Sequence, residues 1–308
     1  MRIAVMGTGG VGGYFGARLA LAGCDVAFIA RGAHLAALRQ RGLRVLSAGG
    51  DLHVDPVNAT DDPRDVGPVD LVLFGVKLWD TEDAARQVAP LLGPDTAVVS
   101  FQNGVHKDDV LRRVLGERAV VGGACYIAAT IAEPGVIRHT GAMQRLVFGE
   151  YGVAASARTG AFLAACRKAG IDAEISADIR RAIWEKFVFL VAFSGTTSAT
   201  RMPLGALLAH PQTRMLLRDA MREVVAVGRA EGVTLGEDFV DGRMAFAETL
   251  PAAMTSSMHQ DLERGNRIEV DWLSGDVVRR GIAAGIATPV NRVLHDVLVL
   301  HAGGRART

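Results

Sequence analysis

Two kinds of residue in this chain have types and spacing that support chemistry: glycines and cations at the ends of apolar runs, and a lysine inside a helical one. Gly7-Thr8-Gly9-Gly10-Val11-Gly12 is a G-x-G-x-x-G stretch that follows Ile3-Ala4-Val5-Met6 and opens a helical pattern. In that context it predicts a phosphate cradle. Gly7 permits a tight turn, Gly9 lets the backbone approach a pyrophosphate, and Gly12 lets helix and strand pack closely. Exposed N–H groups along Gly7 to Gly12, those of Thr8, Gly10 and Val11 included, and the helix dipole then favour the negative phosphates. The second apolar run ends Phe28-Ile29-Ala30-Arg31. A ribose 2′-hydroxyl calls for an acid there, but the only nearby acid, Asp25, sits at the wrong end of the run. A guanidinium pairs with a 2′-phosphate by charge-assisted bonds, so NADP(H) is the expected cofactor. Lys77, after Gly75-Val76, and Gln102-Asn103-Gly104, after Ser100-Phe101, fall past two further runs, where open α/β sheets bind ligands.

The lysine is Lys186. Ala182 to Phe193 reads as a helix apolar nearly all round, and such a helix is buried. Its ammonium must sit among those side chains, snorkel, or meet a partner in a cleft. Burial moves a lysine toward the range useful for proton transfer. The competing reading is a surface pair with Glu185. A second candidate is Glu269 in Arg267-Ile268-Glu269-Val270-Asp271-Trp272, but Asp261 and Glu263 lie just upstream, and composition does not choose among them.

The elements that must position these groups fall into two halves. The first alternates continuous apolar runs (Ile3 to Met6, Val26 to Ile29, Asp70 to Val76, Ala97 to Phe101, Ala119 to Val121) with helical patterns near Val11 to Leu21, His34 to Arg41, Thr81 to Leu92 and Lys107 to Leu115. Continuous apolarity marks strands buried on both faces, which predicts a Rossmann-type, doubly wound α/β domain. Val136 to His139 and Leu146 to Phe148 are read as strands added at its edge, with a helix over Ala154 to Ala169. Beyond Asp178 the strand signals vanish. Helices are predicted over Ile179 to Ser194, Leu204 to Gly232, Phe239 to Leu262, Val270 to Ala284 and Pro289 to His301. The predicted domains are 1–175, nucleotide-binding, and 176–308, all-helical, with Gly303 to Thr308 frayed.

Thirty-four basic residues against 33 acidic ones give no electrostatic footprint for nucleic acid or an anionic membrane. No run approaches the ~18 apolar residues of a membrane span. Leu21-Ala22-Gly23-Cys24 imitates a lipoprotein processing site, but the stretch before it is Gly-rich and carries Arg18, so processing is not expected. Cys24, Cys125 and Cys166 fit neither a disulfide framework nor a metal site. They point to a reducing cytoplasm. The partner expected is a small molecule, and a homodimer is left open.

The glycine loop, Lys77 before Leu78-Trp79, Asn103-Gly104, Trp184-Glu185-Lys186, and Ser256-Ser257-Met258-His259-Gln260-Asp261 running on to Ile268-Glu269-Val270-Asp271 resemble the ketopantoate reductase family, in order and at matching spacing, over nearly the whole chain. The resemblance implies NADPH-dependent reduction of a 2-oxo acid to a 2-hydroxy acid, ketopantoate to pantoate as the family default, in a cleft between the two domains. It implies Lys186 as proton donor to the developing alkoxide and Glu269 at the nicotinamide and substrate end. Asn103 and Lys77 would hold cofactor and substrate, Ser257 would bind the carboxylate, and Ala128 would fall near a backbone contact to the cofactor. The chain departs from the family where asparagines line the substrate side. Leu190 and Ser194 stand four and eight residues beyond the lysine, and Leu204 and Met254 occupy two further such positions. Those departures predict the same chemistry on a more apolar 2-oxo acid or ketone. A non-catalytic NADP-binding regulator is the alternative of another class.

Overall fold

The computed structural model describes residues 1–305, so Ala306 to Thr308 of the expected frayed end lie outside the described residues. The chain forms two compact units, Met1–Ala182 and a second from Ile183 on. The first contains, in order, β1 (Arg2–Met6), α1 (Gly10–Leu21), β2 (Asp25–Ile29), α2 (Gly32–Arg41), β3 (Leu43–Ser47), β4 (Leu52–Val54), β5 (Asn58–Thr60), β6 (Val69–Phe74), α3 (Thr81–Gln87), β7 (Leu92–Ser100), α4 (His106–Leu115), β8 (Val120–Glu133), β9 (Val136–Gly149), α5 (Ala157–Lys168) and β10 (Asp172–Ile175). The strands join in the order β4-β3-β9-β8-β7-β6-β1-β2-β5, with β10 also paired to β9.

From β5 to β8 the pairings are all parallel. Leaving out the β3–β4 hairpin, these six strands run 3-2-1-4-5-6, the doubly wound order of dinucleotide-binding sheets. Strand order reverses between β1 and β6, so the crevice for a ligand opens where the loops after Met6 and Phe74 diverge. Residues of β1 explain the continuous apolarity. Ile3 and Val5 join one core with Phe15, Phe28 and Leu73, whereas Ala4 and Met6 join the opposite one with Ile29, Phe74 and Leu111. Both faces are covered, so neither set of alternate positions tolerates a polar side chain.

The remaining strands depart from expectation. The edge strands read as short pieces form one antiparallel pair, β8 and β9, of 14 residues each. Residues 127–133 of β8 and 140–145 of β9 are exposed or half-buried and of mixed polarity, which hid them from an apolar-run criterion.

Of the second unit, α6 (Ile179–Thr200) begins in the first and continues through Lys186. It is followed by α7 (Leu204–Ala209), α8 (Pro211–Ala230), α9 (Phe239–Thr249), α10 (Ser257–Glu263), α11 (Ser274–Ala284) and α12 (Pro289–Leu298). No strand among the described residues lies beyond Ile175. Two helices expected to be continuous are broken for one shared reason. His210 precedes Pro211 and Leu250 precedes Pro251, and both adopt extended backbone, with ψ of 124° and 154°. The proline ring disfavours helical geometry in the residue before it. The chain end is held down through Arg305: the Ile268 N–H donates to the Ala302 carbonyl at 3.1 Å, and the Arg305 N–H to the Gly265 carbonyl at 2.9 Å. The fraying expected from Gly303 therefore does not extend to Gly303, Gly304 or Arg305.

Candidate active site

In the first unit the glycine loop turns from β1 into α1. Gly7 has φ +94°, and a Cβ there would lie 2.8 Å from the Val76 nitrogen; at Gly12 a Cβ would lie 2.3 Å from the Gly7 carbonyl oxygen. Both sites exclude any side chain. Gly9 differs, because a Cβ there meets nothing within 4 Å. Gly9 is also the N-cap of α1 and offers no side-chain cap, so an anion at this helix start would meet N–H groups that no capping side chain occupies. Gly10 is closed from above, since a Cβ would come within 2.1 Å of the Ala129 carbonyl oxygen. That contact places β8 over the start of α1. Ala128, the neighbouring residue on β8, is exposed, and Val11 is half-buried one position into the helix.

The loop is tied to the end of β2. The Gly7 and Thr8 N–H groups and the Thr8 hydroxyl all donate to the Ile29 carbonyl, at 3.2, 3.1 and 3.0 Å, and Thr8 is buried, so contrary to expectation these N–H groups are not exposed for a phosphate but spent on the loop's own shape. A cavity of about 260 Å³ lies here, lined by Gly7, Thr8, Gly9, Arg31, His34 and Asp80 among others. Arg31 precedes α2, is 72% exposed, and reaches Asp80 at 3.3 Å. Burial pushes the His34 imidazole below its usual value, opposed by the backbone of Thr8. Its Nδ1 accepts the Gly135 N–H at 3.1 Å, as a neutral ring does.

Lys77 and Asn103 lie on the two loops past β6 and β7. Lys77 is exposed, with its ammonium 5.5 Å from the centre of the Trp79 ring; Asn103 is half-buried. Gln102, beside Asn103, is buried and joins the loops: its Nε2 donates to the Val76 carbonyl at 2.9 Å and to the Thr81 hydroxyl at 2.8 Å. Below them Lys107 is 1% exposed. Its ammonium donates to the Ser100 carbonyl at 3.2 Å and to Asp108 at 2.9 Å, and the Tyr151 hydroxyl donates to Asp108 at 2.8 Å. Burial beside Asp108 raises the Tyr151 phenol far above its ordinary value, so it stays a donor.

In the second unit Lys186 is half-buried on α6, between Trp184 and Phe187, which are buried. At 100° per residue, Leu190, Phe193, Ser194 and Thr197 continue its stripe. Leu190 is half-buried, and Ser194 is fully buried with no protein partner for its hydroxyl. Thr197 connects this stripe to α10: its hydroxyl lies 3.0 Å from that of Ser256, and its carbonyl lies 2.8 Å from His259 Nδ1. Ser256 is the N-cap of α10, its hydroxyl accepting the His259 N–H, and Ser257 follows as an exposed first helical residue. The Leu204 N–H donates to the Met254 carbonyl at 2.9 Å, so those two departures from the family pattern are neighbours. Glu269 is the N-cap residue of a single 3-10 turn, lies between Ile268 and Val270, both fully buried, and is itself half-buried.

The sequence-predicted residues thus fall into two sets. The glycine loop, Arg31, Lys77, Asn103 and Ala128 belong to the first unit, and Lys186, Leu190, Ser194, Ser257 and Glu269 to the second. Sequence reasoning gave Gln102 no part of its own and missed His34, the Ala129 carbonyl and the Thr197–Ser256–His259 connection. Only Gln102 carried a signal, an amide directly before Asn103-Gly104 at a strand end.

Comparison with known proteins gives these residues a common frame. The family model for Ketopantoate reductase PanE/ApbA matches residues 3–152, and the model for its C-terminal part matches residues 178–301. A 2-dehydropantoate 2-reductase of Halobacterium salinarum is 36% identical over 304 residues, spanning 97% of this chain and 98% of that protein. The chain belongs to the ketopantoate reductase family. A second 2-dehydropantoate 2-reductase, from Mesorhizobium japonicum, is 34% identical over 310 residues and covers 94% of each chain. A crystal structure of a ketopantoate reductase family member from Ralstonia eutropha superimposes with a TM-score of 0.89 at 40% identity, covering 98% of both chains. Membership in this oxidoreductase family fits the doubly wound first unit and the helical second one.

Proposed function

We propose that the chain is an NADPH-dependent 2-oxo acid reductase of the cytoplasm, with reduction of ketopantoate to pantoate as its family activity. The observations that carry this reading are the open space over Gly9 and a half-buried lysine on a largely apolar helix, in a family whose relatives include 2-dehydropantoate 2-reductases. When bound, the reduced nicotinamide supplies a hydride to the 2-oxo carbon. The N–H groups at the start of α1 hold the pyrophosphate. Arg31 leaves Asp80 for the 2′-phosphate, exchanging an exposed pair of small net worth for charge-assisted bonds to a dianion. Lys77 and Asn103 hold the nicotinamide end and the substrate. As negative charge builds on the carbonyl oxygen, Lys186 stabilises it and delivers the proton that completes the hydroxyl. Glu269 orients the substrate at that end, and Ser257 takes the carboxylate.

A second reading concerns the substrate alone. Leu190, Leu204 and Met254 offer no hydrogen bond where family members carry amides, and Ser194 offers only a short hydroxyl. An amide bond to a substrate hydroxyl or carboxylate is worth ~0.5–3 kcal/mol, so losing two costs roughly one to three orders of magnitude in kcat/KM. Each added methylene buried against leucine returns about 0.8 kcal/mol. NADPH oxidation across a panel running from ketopantoate to bulkier 2-oxo acids tests both readings. Turnover of none of them removes the proposal. A kcat/KM for ketopantoate near ~10⁵ M⁻¹s⁻¹ removes the second reading. If instead a bulkier acid leads, Leu190→Asn with Ser194→Asn shifts preference back toward ketopantoate.

A further inference from the structure

Neighbouring residues of the loop after β7 play different parts. Asn103 is the residue expected at cofactor and substrate, while Gln102 sends its side chain across to the loop after β6. Both hydrogens of its amide are used, one on the Val76 carbonyl at 2.9 Å and one on the Thr81 hydroxyl at 2.8 Å, and its Oε1 accepts the Ser100 hydroxyl at 3.0 Å. Thr81 in turn donates to the Leu78 carbonyl at 2.7 Å. The carbonyls on either side of Lys77 are therefore both fixed, one by Gln102 directly and one through Thr81. Ser100 is anchored from the other side, where its carbonyl accepts from Lys107.

We infer that Gln102 is a positioning residue, setting the separation between Lys77 and Asn103 at the nicotinamide end of the cofactor by holding the backbone of both loops. Only a neutral amide of this length accepts from one hydroxyl while donating to a carbonyl and a second hydroxyl. An ionised carboxylate in its place has no hydrogen to give and sets its charge against the Val76 carbonyl. The inference rests on the reading of Lys77 and Asn103 given above.

Two variants test it by equilibrium titration of NADPH fluorescence. Gln102→Met keeps the length and removes all three side-chain bonds, and it weakens NADPH binding about tenfold, since ångström-scale misplacement of contacts costs ~10–100-fold. Gln102→Glu regains a donor only when protonated, and burial raises a carboxyl above its ordinary value. Its binding deficit against the native protein shrinks as pH falls from about 8 to about 6. The deficit of Gln102→Met does not change with pH. A purely structural glutamine lowers Tm in both variants and leaves no such pH signature. Binding by Gln102→Met within about twofold of native, or a Gln102→Glu deficit constant across that range, overturns the inference. If Gln102→Met does not fold, the glutamate series decides alone. If the native protein binds no NADPH, the functional proposal falls and this inference with it; native binding with a flat glutamate series removes the inference only.

Discussion

The two units build their halves of the chemistry from different materials. In Met1–Ala182 the proposed cofactor surface is mainly backbone: a glycine turn, carbonyls that fix its shape, and N–H groups at a helix start, with Arg31 as the side chain proposed to meet the 2′-phosphate. From Ile183 on the proposed site residues act through side chains: a lysine on one helix, a serine opening another, a glutamate on a single turn. Backbone recognition constrains sequence tightly, since the same glycines are needed whatever the substrate. Side-chain recognition leaves the helices free to change what they present. On the proposed reading, the cofactor constrains the first unit most and the substrate the second.

The strongest way to break this contrast is Lys186→Ala. Loss of the proton donor lowers kcat by about 10²-fold or more, with NADPH affinity nearly unchanged. Steady-state kinetics beside an equilibrium NADPH titration checks both halves of that statement. Normal turnover with a lowered Tm makes Lys186 structural and ends the assignment.

The glycines sharpen the other side. Gly12→Ala drives a Cβ into the Gly7 carbonyl and lowers Tm, whereas Gly9→Ala meets no protein atom within 4 Å. The Gly9 variant melts like the native protein yet loses about tenfold or more in NADPH affinity, because the methyl occupies space meant for phosphate. Equal damage from both in thermal melts means that the space over Gly9 serves folding, not binding.

Arg31 comes next. The native protein is expected to prefer NADPH over NADH by at least about tenfold, the worth of one or two charge-assisted bonds at ~1.5–3 kcal/mol each. Arg31→Ala erases most of that preference while sparing NADH kinetics. Equal dissociation constants for the two cofactors in the native protein contradict the role given to Arg31.

The smallest effect lies away from both sites. Glu150 is 8% exposed, and the Arg158 guanidinium beside it, bonding at 2.8 Å to each carboxylate oxygen, holds its carboxyl below the ordinary glutamate value. A depressed value means stability present at neutral pH and lost as pH falls through the folded-state value. Glu150→Gln melts a few degrees lower at pH 7, and the gap closes as the buffer is taken below the usual carboxylate range. A gap that stays constant with pH shows that the pair adds nothing through its charge.

How much could be read from residues alone follows the same division. The strand at Ile3–Met6, the glycine turn and the loops at Lys77 and Asn103 were legible because strands buried on both faces are uninterrupted and their ends are punctuated by glycine. The three-residue strand Asn58–Thr60 was not, since it is too short and polar to signal, and it exists only because β2 offers it an edge. The helix breaks at Leu250 and His210 were written in the prolines that follow them, and helical periodicity on both sides outvoted them. Among functional candidates, Lys186 stood out against an apolar background. Glu269 did not, because nothing in its own neighbourhood distinguishes it from Asp261 or Glu263, and only the family resemblance selected it. The part of Gln102 escaped notice because it depends on a loop some 25 residues earlier in the chain.

The end of the chain gives Glu269 a backing that bears on how the protein is handled. Ala302 accepts from Ile268, directly before the carboxylate, and Arg305 closes onto Gly265. Gly304 packs so tightly there that a Cβ would sit 2.8 Å from the Arg267 nitrogen. A purification tag that replaces the residues after His301 strips this brace from behind the glutamate, whereas a tag joined beyond Arg305 leaves it in place.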